Sequence, residues 1–391
     1  MWKRRLGWQF VFGLILAEIC LRVYNPLPFR LKGDRIVLPV RQVYQFDNRG
    51  THKLDPITRH TKNSLGFRGP DPPRDFERRL TLLTIGGSTT EGLFLSDGKT
   101  WTDQLARRLT RVVPDAWVNN AGLDGQSSYG HLVLLQSVVV PLEPKLALFL
   151  VGTNDVGRET ATTFDAALTP SGSRLHMAET FVAEHSELAS LVQNVYRAAW
   201  TRHRGFGHSE VDLTTAPRLA LDEDVIARTL QDHRTRYLEG YGKRLTTLVR
   251  LCRANHIEPV LITQPALFGE AIDPATRVDL ATVQVNGRGN GKLEWQLLEL
   301  YNDVTRRVGA SERAVVIDLA RDLPKDSTLF YDYLHFTNEG SVAAGDIVFR
   351  GLCPSLVQHS LDTRRVPQRS VRATREAGAQ DTMCDGPVSA H

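Results

Sequence analysis

An α/β fold is what this sequence predicts: a three-layer α/β/α sandwich around a central parallel sheet of about five strands, preceded by an N-terminal anchor helix. Two observations predict it. From Leu80 onward, short apolar runs alternate with longer stretches of helical period, the signature of βαβ units. Each short run is ended by glycine, proline or polar residues, as buried parallel strands are. With 391 residues, 41% of them apolar and 24% charged, the chain has material for a sizeable core.

The elements follow in chain order. Lys3, Arg4 and Arg5 precede an apolar run, Trp8 to Val23, broken by Gln9, Glu18 and Arg22. Residues 1–24 therefore read as an uncleaved signal anchor, a single-pass transmembrane helix with the remaining chain facing the periplasm or cell exterior. The competing reading is an amphipathic helix packed on the domain. Residues 25–79, rich in Pro, Gly, Arg and Asp, read as a connecting arm that wraps the domain. The strand candidates are Leu80–Ile85, Trp117–Asn120, Leu146–Val151, Pro259–Thr263 and Ala314–Leu319. Helical period is clear in Tyr237, Tyr241, Leu245, Leu248 and Cys252, and again in Leu297, Tyr301, Val304 and Val308. The globular unit spans 80–360, with an insertion at about 158–224 that carries one helical piece around Leu188 to Trp200. Residues 268–291 read as a mobile flap, and the Arg-rich 361–391 as a disordered tail.

Composition also excludes classes. The formal charge is +4 and the basic residues are scattered, so no nucleic-acid interface is expected. The four cysteines form neither a CxxC pair nor a Cys/His cluster, so a metal, a cofactor or a disulfide framework is not expected. No pattern speaks to oligomeric state.

Four motifs fall at predicted strand ends, where open α/β sheets bind ligands. In Thr84-Ile85-Gly86-Gly87-Ser88-Thr89-Thr90-Glu91-Gly92, glycines permit a tight turn into a helix whose first hydroxyl, Ser88, faces exposed amides. Ser88 can act there as a nucleophile, or equally as a helix cap or part of a phosphate cradle that lacks its lysine. Val118 to Ser127 brings Gly125, whose bare amide suits close approach to an oxygen, though such turns are ordinarily structural. Gly152-Thr153-Asn154-Asp155 offers Asn154 as an oxyanion donor or as an Asx turn. Asp332 and His335, three apart, can form an acid/base pair in which the carboxylate fixes the imidazole; a surface ion pair or half a metal site is the plain alternative. What unites them is the order nucleophile, amide donor, amide donor, acid/base pair.

In that order the four blocks resemble those of the SGNH or GDSL hydrolases, over roughly Leu80 to Leu356. The resemblance implies a flavodoxin-like fold, Ser88 as nucleophile, His335 as general base and Asp332 as its orienting partner. It further implies an oxyanion hole from the Ser88 and Gly125 amides and the Asn154 side chain. One departure stands out: the family's usual aspartate before the serine is Gly87 here. Asn63-Ser64-Leu65-Gly66-Phe67-Arg68-Gly69 in the arm is similar to a stretch in membrane-anchored bacterial members. The expected activity is hydrolysis of acyl or acetyl esters through an acyl-enzyme, on a small-molecule, glycan or lipid substrate. Alternatives are O-acyl transfer with the same residues and a non-catalytic carbohydrate-binding or assembly module. Phe94, Trp101 and Tyr129 are candidates to line the site, with core packing as the plainer explanation.

Overall fold

The computed structural model describes residues 2–24, 31–33, 35–161, 165, 181–203, 208–285, 287 and 289–363. Its main strands are β1 (Val43–Asp47), β2 (Ile57–Thr61), β3 (Thr81–Gly86), β4 (Trp117–Asn120), β5 (Leu146–Val151), β6 (Glu258–Thr263) and β7 (Val315–Ile317). Its main helices are α1 (Trp2–Val23), α2 (Trp101–Val112), α3 (Ser128–Leu134), α4 (Glu187–His203), α5 (Glu223–Arg236), α6 (Leu238–Ala254), α7 (Gly291–Glu312) and α8 (Asn338–Thr363).

Strands β3 to β7 form one five-stranded sheet in the order β7-β6-β5-β3-β4, parallel throughout. This is the sheet the sequence predicts, within one or two residues at each end. The central strands β3 and β5 are buried along their whole length, which is why their sequences are apolar without alternation. On one face Leu82, Leu148 and Ile262 pack against Leu105 of α2 and Val348 of α8. On the other, Leu83, Phe149 and Leu261 meet Leu134, Leu245 of α6 and Tyr301 of α7. Each such fully buried side chain is worth about 1.5–3 kcal/mol of apolar burial, and together they make the three layers.

Chain order places the site. From β3 the chain moves to β4 on one side and then to β5 on the other, so the winding reverses at β3. The crevice at such a switch point lies at the carboxyl ends of β3, β4 and β5. The arm guards this edge: β1 and β2 pair as an antiparallel hairpin, and Arg68 and Asn120 bond through their backbones alongside β4. An open edge strand is thereby covered.

Three expectations require correction. Among the described residues, no helix is long and apolar enough to cross a membrane, so the spanning reading of 1–24 fails. Gln9, Glu18 and Arg22 dilute its apolar run. Glu18 has a different use: it pairs with Arg22 at 2.7 Å and accepts from the amides of Glu187 at 3.1 Å and Leu188 at 3.0 Å, capping the start of α4. Nor is 268–291 a flap through its described residues. Leu280, Val283 and Val285 are core, and buried Asp273 accepts from Thr276 and Ser327. Polar Gly-rich sequence concealed three well-spaced apolar anchors. Finally, Cys353 on α8 is disulfide-bonded, while Cys20 and Cys252 are free. Spacing along the chain carries no information on which distant cysteine a buried one meets. The tail expectation for 361–391 lies, beyond Thr363, outside the described residues.

Candidate active site

Strand β3 ends at Gly86, and the chain turns directly into a single helical turn, Ser88–Glu91. Gly87 lets the Asn154 side chain come close. A Cβ at this position would lie 2.1 Å from Asn154 Nδ2 and 3.3 Å from the Gln126 carbonyl. An aspartate in that place would require the Asn154 side chain to shift, so the departure from the family pattern goes with the close approach of Asn154. That approach also locates Asn154 beside the Ser88 turn. Its Nδ2 donates to the Gln126 carbonyl at 2.9 Å, fastening the end of β5 to the loop after β4. Within that loop Gly125 adopts φ +75°, a left-handed conformation that side chains disfavour.

His335 arrives from the other end of the molecule. After β7 and a short helix, Leu319–Asp322, the chain forms a narrow turn, closed by the Tyr331 amide donating to the His335 carbonyl at 3.0 Å. Its Nε2 lies 2.7 Å from Ser88 Oγ and its Nδ1 lies 2.6 Å from Asp332 Oδ2. The second carboxylate oxygen, Oδ1, accepts the amides of Leu334 at 2.8 Å and His335 at 2.7 Å. Burial alone pushes the Asp332 carboxyl up, but the His335 charge and these hydrogen bonds outweigh it and hold the group below the usual carboxylate range. With Nδ1 fixed as a donor, Nε2 is left to accept the Ser88 proton. Of the five sequence-predicted residues, Ser88, His335 and Asp332 are joined directly by hydrogen bonds, Asn154 lies beside Gly87, and Gly125 stands in the loop whose Gln126 carbonyl Asn154 holds.

The space above Ser88 is small. Phe94, Leu95, Tyr331 and Phe336 enclose about 10 Å³ with Ser88 and His335, roughly the volume one water requires. Of the three candidate aromatics, Phe94 lines this space. Trp101 is a core residue, 1% exposed, and Tyr129 lies under the Arg244 guanidinium at 3.9 Å.

A frame of buried polar residues holds the turns in place. Arg68, 2% exposed, donates to the carbonyls of Glu91, Gly92 and Leu95, which is the physical content of the arm motif. Glu91 accepts the Asp124 amide at 2.7 Å and pairs with Lys62, tying the Ser88 turn, the Gly125 loop and the arm together. Asp155, next to Asn154, accepts the Ser128 amide at 3.1 Å and pairs with Arg244 at 3.2 Å. Sequence reasoning missed these roles, although Glu91, Asp155 and Arg68 stand inside the motifs it singled out; charged residues embedded in glycine-rich strand-end motifs were the available signal. His208, against the His335 ring, had none, since the insertion has no period. Among the described residues, one group of potential metal ligands converges, His208, Asp332 and His335, with ligand atoms within 4.8 Å of one another. A cation there would compete for the atoms that join Asp332, His335 and Ser88.

Comparison with known proteins bears on this geometry. Residues 84–343 match the model of the GDSL-like lipase/acylhydrolase family. Among curated proteins, none matches the sequence. Similar solved structures include an alpha/beta hydrolase enzyme from the metagenome of Lake Arreo, Spain, at 16% identity and a TM-score of 0.39, covering 69% of this chain and 94% of that one. An acetylxylan esterase from Geobacillus stearothermophilus is similar at 14% identity and a TM-score of 0.39, covering 70% and 93%. The acetyl xylan esterase AlAXEase shares 13% identity at a TM-score of 0.39, covering 68% and 97%. The family model reaches from the end of β3 through the His335 turn into α8, so it takes in all four blocks: the chain belongs to the GDSL-like lipase/acylhydrolase family, SGNH/GDSL hydrolases that cleave ester bonds.

Proposed function

We propose that the protein hydrolyses short acyl esters, acetyl esters above all, through an acyl-enzyme on Ser88. The observation that carries this reading is the continuous relay from Ser88 Oγ through both nitrogens of His335 to Asp332. His335 takes the hydroxyl proton as Ser88 attacks the ester carbonyl. The tetrahedral oxyanion is held by the Ser88 and Gly125 amides and the Asn154 side chain. On collapse the proton passes from His335 to the leaving alkoxide. Water, deprotonated in turn by His335, then attacks the acyl-enzyme, and the acid and free Ser88 are released. The narrow space bounded by Phe94, Leu95 and Phe336 supports a short acyl group; a glycan ester is the natural alcohol side for an enzyme at a cell surface.

Turnover of nitrophenyl esters tests this directly. Acetyl should be cleaved faster than octanoyl, and Asn154→Ala should lower kcat roughly 100- to 1000-fold with KM little changed, the usual cost of one oxyanion donor. Near-normal kcat in that variant removes Asn154 from the mechanism.

For location, we propose an extracytoplasmic enzyme held against a membrane surface by α1. Trp8, Val11, Phe12, Ile15, Ile19 and Val23 on α1 are exposed, an apolar face that suits the headgroup boundary. The disulfide at Cys353 supports an oxidising compartment. Full-length protein should float with lipid vesicles in a density gradient, and Phe12→Asp with Ile15→Asp should leave it in the soluble fraction; equal flotation of both would reject α1 as the attachment.

A further inference from the structure

One wall of the space over Ser88 is held in place by the arm. Phe94 borders that space and stands on the loop that follows the Ser88 turn, outside any helix or strand. The loop starts at Gly92 with φ +60°. Every backbone carbonyl from Glu91 to Leu95 nevertheless accepts a hydrogen bond from a buried arm side chain. Arg68 Nη1 donates to Glu91 at 2.8 Å and Gly92 at 2.6 Å, and its Nη2 donates to Leu95 at 2.8 Å. His60 Nδ1 donates to Leu93 at 3.1 Å, while Thr58 Oγ1 and Asn48 Nδ2 donate to Phe94 at 2.7 and 3.3 Å. A loop bonded in this way within the interior is held to one conformation. The Phe94 ring is confined as well. Phe46 of β1 meets it edge to face with centroids 5.3 Å apart, His208 meets it at 5.5 Å, and it packs on the buried cluster of Leu54, Leu95 and Tyr331.

We propose that Phe94 determines acyl length, and that the arm, by fixing it, is part of the specificity machinery. A two-carbon acyl group fits between Ser88 and the Phe94 ring, and a longer chain meets the ring. The inference rests on the reading of Ser88 as nucleophile and deepens the preference for acetyl esters. Size and chemistry make this space the acyl side. It is walled by the apolar and aromatic side chains of Phe94, Leu95, Tyr331 and Phe336 and holds about 10 Å³, room for one water or a group of similar size such as a methyl. A glycan cannot enter it. The alcohol leaves instead past His335 Nε2, which protonates it, toward solvent. Asn48, Thr58, His60 and Arg68 all precede residue 84, where the match to the family model begins, so the wall is held from outside the matched residues.

Hydrolysis of nitrophenyl acetate, butyrate and octanoate by the full-length protein reads acyl length with the alcohol held constant. A second series of acetyl esters with different alcohols reads the other side. The octanoate-to-acetate ratio of kcat/KM within one variant is independent of how much of that variant is folded. In Phe94→Ala this ratio should rise at least about tenfold over wild type, the usual effect of making room for a methylene in an apolar site. Phe94→Leu, which keeps most of the packing volume, and Phe46→Ala, which borders no part of the space, should raise it by less. If Phe94→Ala does not fold, these two variants decide the matter alone. An unmoved ratio in the Phe94 variants overturns the inference, as does a change confined to the alcohol series. A raised ratio in the Phe94 variants with an unmoved one in Phe46→Ala overturns the role of the arm. Wild type that cleaves none of the esters and takes no fluorophosphonate label on Ser88 defeats the hydrolase mechanism together with this inference. Wild type that cleaves the acetate, with variants that keep its ratio, leaves the mechanism standing.

Discussion

Ser88→Ala is expected to lower ester turnover by roughly a millionfold while leaving the fold in place. In the proposed mechanism the hydroxyl becomes covalently attached to the acyl group, and no neighbouring residue among Thr89, Thr90 and Glu91 is placed to substitute for it. Thr89 Oγ1 is turned away to Gln264 Oε1 at 3.2 Å, and buried Thr90 packs behind Gly86. The residual rate would be what the oxyanion donors supply to an attacking water. Stability should change little, because Ser88 makes one side-chain bond, to His335, worth about 1 kcal/mol. Initial rates on nitrophenyl acetate, with a thermal melt as control, check both halves. A variant that retained a tenth of wild-type turnover would place the nucleophile elsewhere.

Asp332→Asn should cost about 10⁴-fold in kcat at neutral pH. The amide oxygen can still accept the Leu334 and His335 backbone amides, so the turn should persist. The NH2 group, however, would face His335 Nδ1 and force that nitrogen to accept. Nε2 would then carry the proton and point it at Ser88, the wrong tautomer for a base. The same carboxylate links activity to acid stability. Because its pKa is depressed in the fold, its ionised form stabilises the native state fully above the ordinary carboxylate range near pH 4, and the contribution is lost as pH falls through the lowered value. Wild type should accordingly lose stability below about pH 4 more steeply than Asp332→Asn. Parallel acid melts of the two proteins would contradict this if they coincided.

Much of the site was legible because each block is local. Ser88, Gly125 and Asn154 follow immediately on β3, β4 and β5, and a short motif carries both the strand end and the chemical group. The Asp332 and His335 pair is three residues apart, so one turn of chain suffices to join them. Illegible were the groups whose partners are remote: Arg68 reaching carbonyls 23 to 27 residues on, Glu91 reaching the Asp124 amide, and Glu18 capping a helix that starts 169 residues later. The same holds for α1, where hydropathy alone proposed a span and a capping contact gave Glu18 another use.

From sequence alone came the parallel sheet, its five strands and the residue types of the reacting set, because alternation of period and strand-end punctuation are local physical signals. Tertiary structure decided which of those residues meet, since 247 residues of chain separate Ser88 from His335 and only sheet order and the packing of α8 on the β3 face bring them to 2.7 Å. It also decided that a histidine from an aperiodic insertion, His208, lies on the His335 ring, for a contact between two loops depends on where both are anchored and on nothing either loop encodes alone.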